Sequence, residues 1–92
     1  VQQKPQEKQG LKEFKESFAN LSLYSRDSNN DKSVSFLQSF LKEKVCPSLS
    51  VSGFFGTKTV ACLEQFQNDN GIPTTGIVGP ITKSQIINLI NK

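Results

Sequence analysis

Three short stretches of this sequence repeat apolar residues at the period of an α-helix, and loops containing glycine or proline separate them. A helix with one apolar stripe must bury that stripe against another element, so the pattern favours a small helical bundle. The sequence therefore predicts an all-α fold, a compact three-helix bundle. The apolar positions are Val34, Leu37, Phe40 and Leu41, then Val60, Leu63 and Phe66, then Ile81, Ile86, Ile87, Leu89 and Ile90.

Residues that commonly begin or end helices stand at the edges of these stretches. The first helix is predicted over residues 33–44, with Asp31 or Ser33 as its N-cap. Thr57 can cap the second helix, and Gly71 stands where a left-handed residue often terminates a helix. Pro80 suits the first turn of the third helix, because no intrahelical partner exists there for a main-chain N–H.

The N-terminal segment allows two interpretations. Residues 1–10 are rich in Gln, Lys and Glu, which is typical of a solvated linker. Leu11, Phe14, Phe18 and Leu21 are spaced as on one face of a helix, yet residues 18–24 also alternate apolar and polar side chains. We expect an extended N-terminal arm over residues 18–24. The predicted boundaries are a partly flexible linker or arm at residues 1–17 and the domain at residues 18–92.

Size and charge limit the possible functions. The chain has 92 residues, enough for one domain, and its net charge of +3 is spread without a basic block. We therefore expect no nucleic acid partner. No apolar run reaches about 18 residues, so no membrane span is expected. Because Val1 is not an initiator methionine and no signal peptide is present, we expect a fragment of a larger protein. We also expect it to be a monomer within that protein.

Four sequence elements follow one another between Val34 and Ile90. The first helix and the loop after it carry Val34, Leu37, Gln38 and Leu41, then Gly53, Phe55, Gly56 and Thr59. The second helix and the connector carry Phe66 and Gln67, then Gly71, Ile72, Thr75, Gly76, Val78, Pro80 and Thr82. Taken together, these elements resemble the peptidoglycan-binding type 1 domain family. Ser52 and Gly79 depart from the family pattern, which usually or often has Asp at those places.

The resemblance implies a non-catalytic module that binds bacterial peptidoglycan, through its glycan or its stem peptide, without a cofactor. Such a module would anchor a larger envelope protein or a cell-wall hydrolase, outside the cell or in the cell envelope. Contacts that depend on the missing carboxylates are not carried over to Ser52 and Gly79. A second hypothesis is a structural or protein-interaction domain that keeps the fold without glycan binding, with Leu11, Phe14 and Phe18 in its interface.

Candidate ligand contacts lie in the glycine-bearing loops and at the adjoining helix ends. Phe55 is the better core candidate and Phe54 the better exposed ring, and an exposed ring suits a sugar face or a peptide methyl group. Gln38 and Gln67 either bond loop carbonyls and fix the connections or face the ligand. The resemblance implies that Phe54, Gln67, Asn70 and Thr75 contact the ligand.

Cys46 and Cys62 are the only two cysteines, and the chain contains no histidine. A Cys–His nucleophile pair is therefore impossible within this chain, and two thiols alone do not make a usual zinc site. We expect no enzymatic activity and no bound metal. Since the first two helices should pack together, the cysteines either form a disulfide, as suits an exported protein, or remain two buried thiols.

Overall fold

A computed structural model describes residues 14, 21–29 and 31–90 of the chain. Three helices follow one another: α1 spans Ser33–Lys44, α2 spans Thr57–Asp69 and α3 spans Pro80–Ile90. Within the described residues, pairing of extended segments is limited to isolated antiparallel bridges. The predicted all-α, three-helix fold is confirmed. None of the helices over these residues is long and apolar enough to cross a membrane.

The core lies between the three helices and the loop that joins α1 to α2. Phe40 of α1 and Phe66 of α2 meet edge to face, with ring centroids 5.3 Å apart. Phe55 is fully buried in the loop between these helices, as predicted. The other large, fully buried apolar side chains include Phe36, Leu37, Leu41, Leu63 and Ile86. Burial of these side chains is the main favourable contribution to the stability of such a small domain.

Phe14 also belongs to this core, although the predicted boundary placed it in the linker. Its side chain is 1% exposed, and its ring centroid lies 5.0 Å from that of Phe36. A ring buried to this extent is not available for the protein interface suggested in the second hypothesis. Leu11 and Phe18, the other two members of that interface, lie outside the described residues.

The start of α1 is held by two aspartates. Asp31 accepts hydrogen bonds from the main-chain N–H of Ser33, at 2.9 Å, and from its hydroxyl. Asp27 accepts from the N–H groups of Val34 and Ser35, at 2.9 and 3.1 Å, and from the Ser35 hydroxyl. These bonds satisfy N–H groups that the helix leaves without intrahelical partners. The N-cap residue itself is Lys32, so the prediction that Asp31 or Ser33 is the N-cap is wrong, although Asp31 does bond the helix start. The sequence gave no sign of Asp27.

The start of α2 differs from the prediction, whereas its end agrees with it. Gly56 is the N-cap residue and makes no side-chain capping bond, so the prediction that Thr57 caps this helix is wrong. Thr57 is instead the first helical residue. Gly71 has φ +68°, and Ile72 N–H donates to the carbonyl of Gln67 at 2.9 Å. The predicted left-handed C-terminal cap is therefore confirmed, in the form of a Schellman motif.

In α3, Pro80 begins the helix as predicted. Ile86 is fully buried, and Ile87, Leu89 and Ile90 pack against the core while partly exposed. The prediction that Ile81 belongs to the buried face is wrong, because its side chain is 64% exposed. Thr82, one position later, is buried in its place and accepts a hydrogen bond from Gln67.

The N-terminal arm is extended only in part. Leu21 pairs with Val78 and Arg26 with Phe54, in isolated antiparallel bridges. Between them a turn at residues 22–25 is closed by Ser25 N–H donating to the Ser22 carbonyl at 2.9 Å. Extended structure as far as Tyr24 is therefore contradicted, since Tyr24 itself has φ +77°. Residues 18–20 lie outside the described part.

Cys46 and Cys62 are joined as a disulfide in the structure, with Cα atoms 6.0 Å apart. Cys46 follows the end of α1, and Cys62 lies in the middle of α2. The bond therefore ties together the two helices that flank the loop between them. That loop contains Phe54, one of the predicted ligand contacts.

Candidate functional site

Gln38, buried on α1, fixes the loop that precedes α2. Its Nε2 donates to the Phe54 carbonyl at 2.8 Å and to the Thr59 hydroxyl at 3.0 Å. Its Oε1 accepts from the N–H groups of Ser52 and Gly53, each at 2.9 Å. The interpretation that this amide bonds a loop carbonyl is confirmed. We call residues 52–56 the first loop.

Gln67, on α2, holds the loop before α3 in the same manner. Its Nε2 donates to the Ile77 carbonyl and the Thr82 hydroxyl, each at 3.0 Å. Its Oε1 accepts from Gly76 N–H at 3.0 Å. We call residues 75–79 the second loop. The pattern Gly-x-x-Gly-x-x-Thr occurs at residues 53–59 and again at residues 76–82, a repeat that sequence reasoning missed.

The segment before α1 is bonded along the first loop. Tyr24 N–H donates to the Phe55 carbonyl, and Phe55 N–H donates to the Ser25 carbonyl, both at 2.8 Å. Asp27 N–H donates to the Gly53 carbonyl at 2.8 Å. This pairing places two side chains against Phe54. The Tyr24 ring centroid lies 6.1 Å from that of Phe54, and the Arg26 guanidinium carbon lies 4.6 Å from the Phe54 centroid.

Beside these rings lies a depression of about 410 Å³, which we call the aromatic groove. Tyr24 and Phe54 line it together with residues 48–50, the start of α2, and Gln38, Ser52 and Gly56. Tyr24 is 69% exposed, so its ring face is open to a ligand. Exposed aromatic faces suit the apolar faces of sugars and the methyl groups of peptides.

Polar groups rim the aromatic groove. Ser48, Ser50, Thr57 and Lys58 line it, and their side chains make no hydrogen bond to any part of the chain that the structure describes. Lys42 Nζ donates to the carbonyls of Pro47 and Leu49, at 2.9 and 3.3 Å, which fixes the wall that carries the serines. The groove therefore combines an aromatic side with donors and acceptors available to a ligand.

A second depression, of about 200 Å³, lies by the second loop, and we call it the connector groove. Its lining is mainly apolar and includes Pro73, Ile77, Pro80 and Ile81. Thr75 also lines it, but the Thr75 hydroxyl already donates to the Ile77 carbonyl at 3.2 Å and accepts from Gln67. Compared with the aromatic groove, this depression offers a ligand shape and apolar surface but few available polar groups.

The four predicted contact residues do not lie together in one site. Phe54 is half-buried in the aromatic groove, and Thr75 lines the connector groove. Gln67 is 0% exposed with its amide bonded to the second loop, so it positions that loop and offers no surface to a ligand. Asn70 is exposed, and its Oδ1 accepts from Gln85 Nε2 at 3.0 Å.

Sequence reasoning missed Tyr24 and Arg26 as neighbours of Phe54. Tyr24 lies in the stretch predicted to be an extended arm, and Arg26 lies two residues after it. The available signal was the single Tyr and single Arg of the chain, standing two residues apart in an otherwise polar segment. In the described segments, no group of three or more His, Cys, Asp and Glu residues is placed to hold a metal ion. The arrangement is suited to holding a ligand by stacking and hydrogen bonding.

Part of this sequence is similar to known proteins. A family model described as "Putative peptidoglycan binding domain" matches residues 30–86, which is more than half of the chain. A protein of Kitasatospora aureofaciens, described as "Uncharacterized protein in bpoA1 3'region", is 44% identical over 36 residues. That match covers 39% of this chain and 30% of the relative, so the chain spans less than a third of the relative's length. No solved structure matches the chain significantly. The match across both loops and the helices that hold them confirms the resemblance: this chain belongs to the peptidoglycan-binding domain family.

Proposed function

We propose that the chain is a non-catalytic module that binds bacterial peptidoglycan in the aromatic groove. In this role it anchors a larger envelope protein or a cell-wall hydrolase in the cell envelope. Family membership supports peptidoglycan as the ligand. The disulfide between Cys46 and Cys62 suits an oxidising location such as the periplasm or the cell surface.

The exposed ring of Tyr24 and the half-buried ring of Phe54 beside it are the reason for choosing this groove. Tilted by 32° to each other, the rings offer a broad aromatic surface next to unpaired hydroxyl groups and the Lys58 ammonium. A sugar ring or an alanine methyl group stacked there keeps its polar groups within reach of the rim. Phe54 is thus the proposed main contact, Gln67 positions the second loop, and Asn70 and Thr75 stay predicted contacts.

Retention on purified sacculi tests this function. The wild-type chain should sediment with sacculi, and chelating metal ions should not change the amount. Phe54→Ala should weaken retention about tenfold, which corresponds to about 1.4 kcal/mol. Ile81→Ala is the matched control, because it removes an exposed apolar side chain from the connector groove. Circular dichroism of each variant separates lost binding from lost folding.

The opposite pattern would contradict the choice of groove. If Ile81→Ala lost retention while Phe54→Ala kept it, the ligand would lie by the second loop, beside Thr75. Release of soluble fragments from dye-labelled peptidoglycan by this chain alone would contradict the non-catalytic role.

A second candidate is a domain that keeps the fold and docks on a neighbouring protein domain. The observation in its favour is the apolar connector groove, which exposed Ile77 and Ile81 line together with Pro73 and Pro80. This candidate predicts a wild-type chain that is folded but not retained by sacculi.

A further inference from the structure

A third depression, of about 430 Å³, is lined by Phe54 and by residues at the start of α1. We call it the basic pocket. Its lining residues are Arg26, Asp27, Lys32, Ser35, Ser52, Gly53 and Phe54, and it shares Ser52 and Phe54 with the aromatic groove. A ligand stacked on the rings is therefore adjacent to the pocket.

The acidic group of this pocket is already occupied. Both carboxylate oxygens of Asp27 accept hydrogen bonds from the first turn of α1, from two N–H groups and the Ser35 hydroxyl. Its negative charge therefore faces the positive end of the helix dipole. The neighbouring Asp31 is engaged in the same way by Ser33. Neither carboxylate forms an ion pair with the two cations of the pocket.

Those cations, Arg26 and Lys32, have no ionic or hydrogen-bonding partner for their side chains among the residues that the structure describes. The Arg26 guanidinium lies over the Phe54 ring, 4.6 Å from its centroid. A cation–π contact of this kind restrains the guanidinium while its N–H donors stay available. The donors form a planar fork that matches a carboxylate, and Lys32 adds a second positive charge.

We propose that the basic pocket binds a carboxylate of the peptidoglycan stem peptide, an inference that rests on the proposed function. The glycan strand loses its lactyl carboxylate charge where a stem is attached through an amide bond, so the remaining carboxylates belong to the peptide. In this arrangement the stem methyl groups lie on Tyr24 and Phe54 while a stem carboxylate pairs with Arg26. The chain therefore recognises the stem peptide more than the sugars.

The test titrates the whole chain with defined ligands by calorimetry. The probes are a disaccharide-peptide with free carboxylates, the same molecule with its carboxylates amidated, an N-acetylglucosamine oligomer that has neither stems nor carboxylates, and inorganic phosphate. Amidation should weaken binding at least about tenfold, and added salt should remove most of that difference. Equal affinity for the free and amidated forms, or tighter binding of the stemless glycan, would overturn the proposal. So would tighter binding of phosphate, which would indicate a phosphate-bearing wall polymer.

Variants that remove single charges show which cation causes the preference for free carboxylates. Arg26→Gln should abolish the preference for the free carboxylate, and Lys32→Gln should reduce it. Lys44→Gln, an equal loss of charge at the exposed end of α1, should leave the preference unchanged. Arg26→Lys keeps the charge but loses the fork, so it should recover only part of the preference. If Lys44→Gln had the same effect as Arg26→Gln, only general charge attraction would be at work.

Retention of the wild-type chain on sacculi, measured in parallel, separates the two proposals. Retention without carboxylate preference defeats this inference alone. Absence of both retention and muropeptide binding defeats the proposed function as well. Unfolding midpoints of the variants show whether each is folded, since the main-chain pairing of Arg26 with Phe54 does not require the arginine side chain.

Discussion

The two loops of this domain are held by the same pattern of hydrogen bonds, but they present different surfaces. In each, a buried glutamine on the preceding helix bonds a loop carbonyl, a glycine N–H and a threonine hydroxyl in the following helix. Each loop also has a hydroxyl residue, Ser52 or Thr75, that accepts from the N–H two positions later at 3.2 Å. The shared bonds fix the backbone and leave the outward residues to differ.

The difference comes from the segment that pairs with each loop. Along the described residues, the first loop exchanges main-chain hydrogen bonds with Tyr24, Ser25 and Asp27, whereas the second donates one bond, from Val78 N–H to the Leu21 carbonyl. The longer pairing brings an aromatic ring and a guanidinium next to Phe54. The equivalent residue of the second loop is Ile77, and among the described residues its groove has a mainly apolar lining and no cation. One scaffold thus carries a polar, aromatic surface and an apolar one, and only the first has the groups to recognise a charged ligand.

Removing the disulfide should have the largest effect on stability and should affect the first loop more than the second. The reason is that the segment closed by the disulfide contains the first loop and not the second. Replacing both Cys46 and Cys62 by Ala should lower the free energy of unfolding by about 3 kcal/mol, given a separation of 16 residues. Urea unfolding measures that loss. Hydrogen exchange should show Gly53 and Phe55 losing more protection than Gly76 and Val78.

Reduction of the wild-type chain should reproduce this behaviour, and reductant should have no effect on the double variant, which is its control. Equal loss of protection in the two loops would mean that the disulfide stabilises the domain without favouring the first loop.

Gln67 offers the next largest effect and separates a positioning role from a ligand contact. Gln67→Leu should lower the free energy of unfolding by about 2 kcal/mol, because the buried Gly76 N–H loses its acceptor. Retention on sacculi by the folded fraction should be unchanged. The control, Gln65→Leu, changes an exposed amide on the same helix and should cost little. Unchanged stability with lost retention would instead make Gln67 a ligand contact.

Local features of the chain were predictable because neighbouring residues determine them. The bounds of α1, the left-handed Gly71 and the position of Pro80 follow from helical periodicity and from the backbone preferences of glycine and proline. Burial of Phe55 followed from its place beside a glycine turn. Ile81 shows the limit of this reasoning, because periodicity does not distinguish an apolar residue in the core from one in an open groove.

The composition of the site was less predictable because it depends on pairing between distant segments. Asp27 reaches the start of α1 from a loop, and Tyr24 and Arg26 reach Phe54 across an antiparallel bridge. No periodic pattern marks such contacts in a single sequence. The repeated Gly-x-x-Gly-x-x-Thr pattern was visible, and it would have indicated that Gln38 and Gln67 have the same structural role.

Replacing the glycines of the two loops by alanine should have the smallest effects on stability. The differences between these variants test whether the two loops differ in their contacts. Gly53, Gly76 and Gly71 have φ values of +82°, +73° and +68°, so Ala at each position should cost about 1–2 kcal/mol in backbone strain. A Cβ at Gly53 would lie 3.0 Å from the Asp27 carboxylate, and one at Gly76 would lie 3.2 Å from Glu64 and Val60 side-chain atoms. At Gly71 nothing lies within 4 Å, so that variant carries the backbone cost alone and serves as the control.

We therefore expect unfolding free energies to fall most for Gly53→Ala, less for Gly76→Ala and least for Gly71→Ala. Because Asp27 both faces Gly53 and holds the start of α1, displacement of its carboxylate should also loosen the first turn of that helix. Hydrogen exchange at Val34 and Ser35 measures that loosening, which Gly76→Ala should not produce. If Gly53→Ala left the amides of Val34 and Ser35 protected, Asp27 would not couple the first loop to α1. The two loops would then differ only in their exposed side chains.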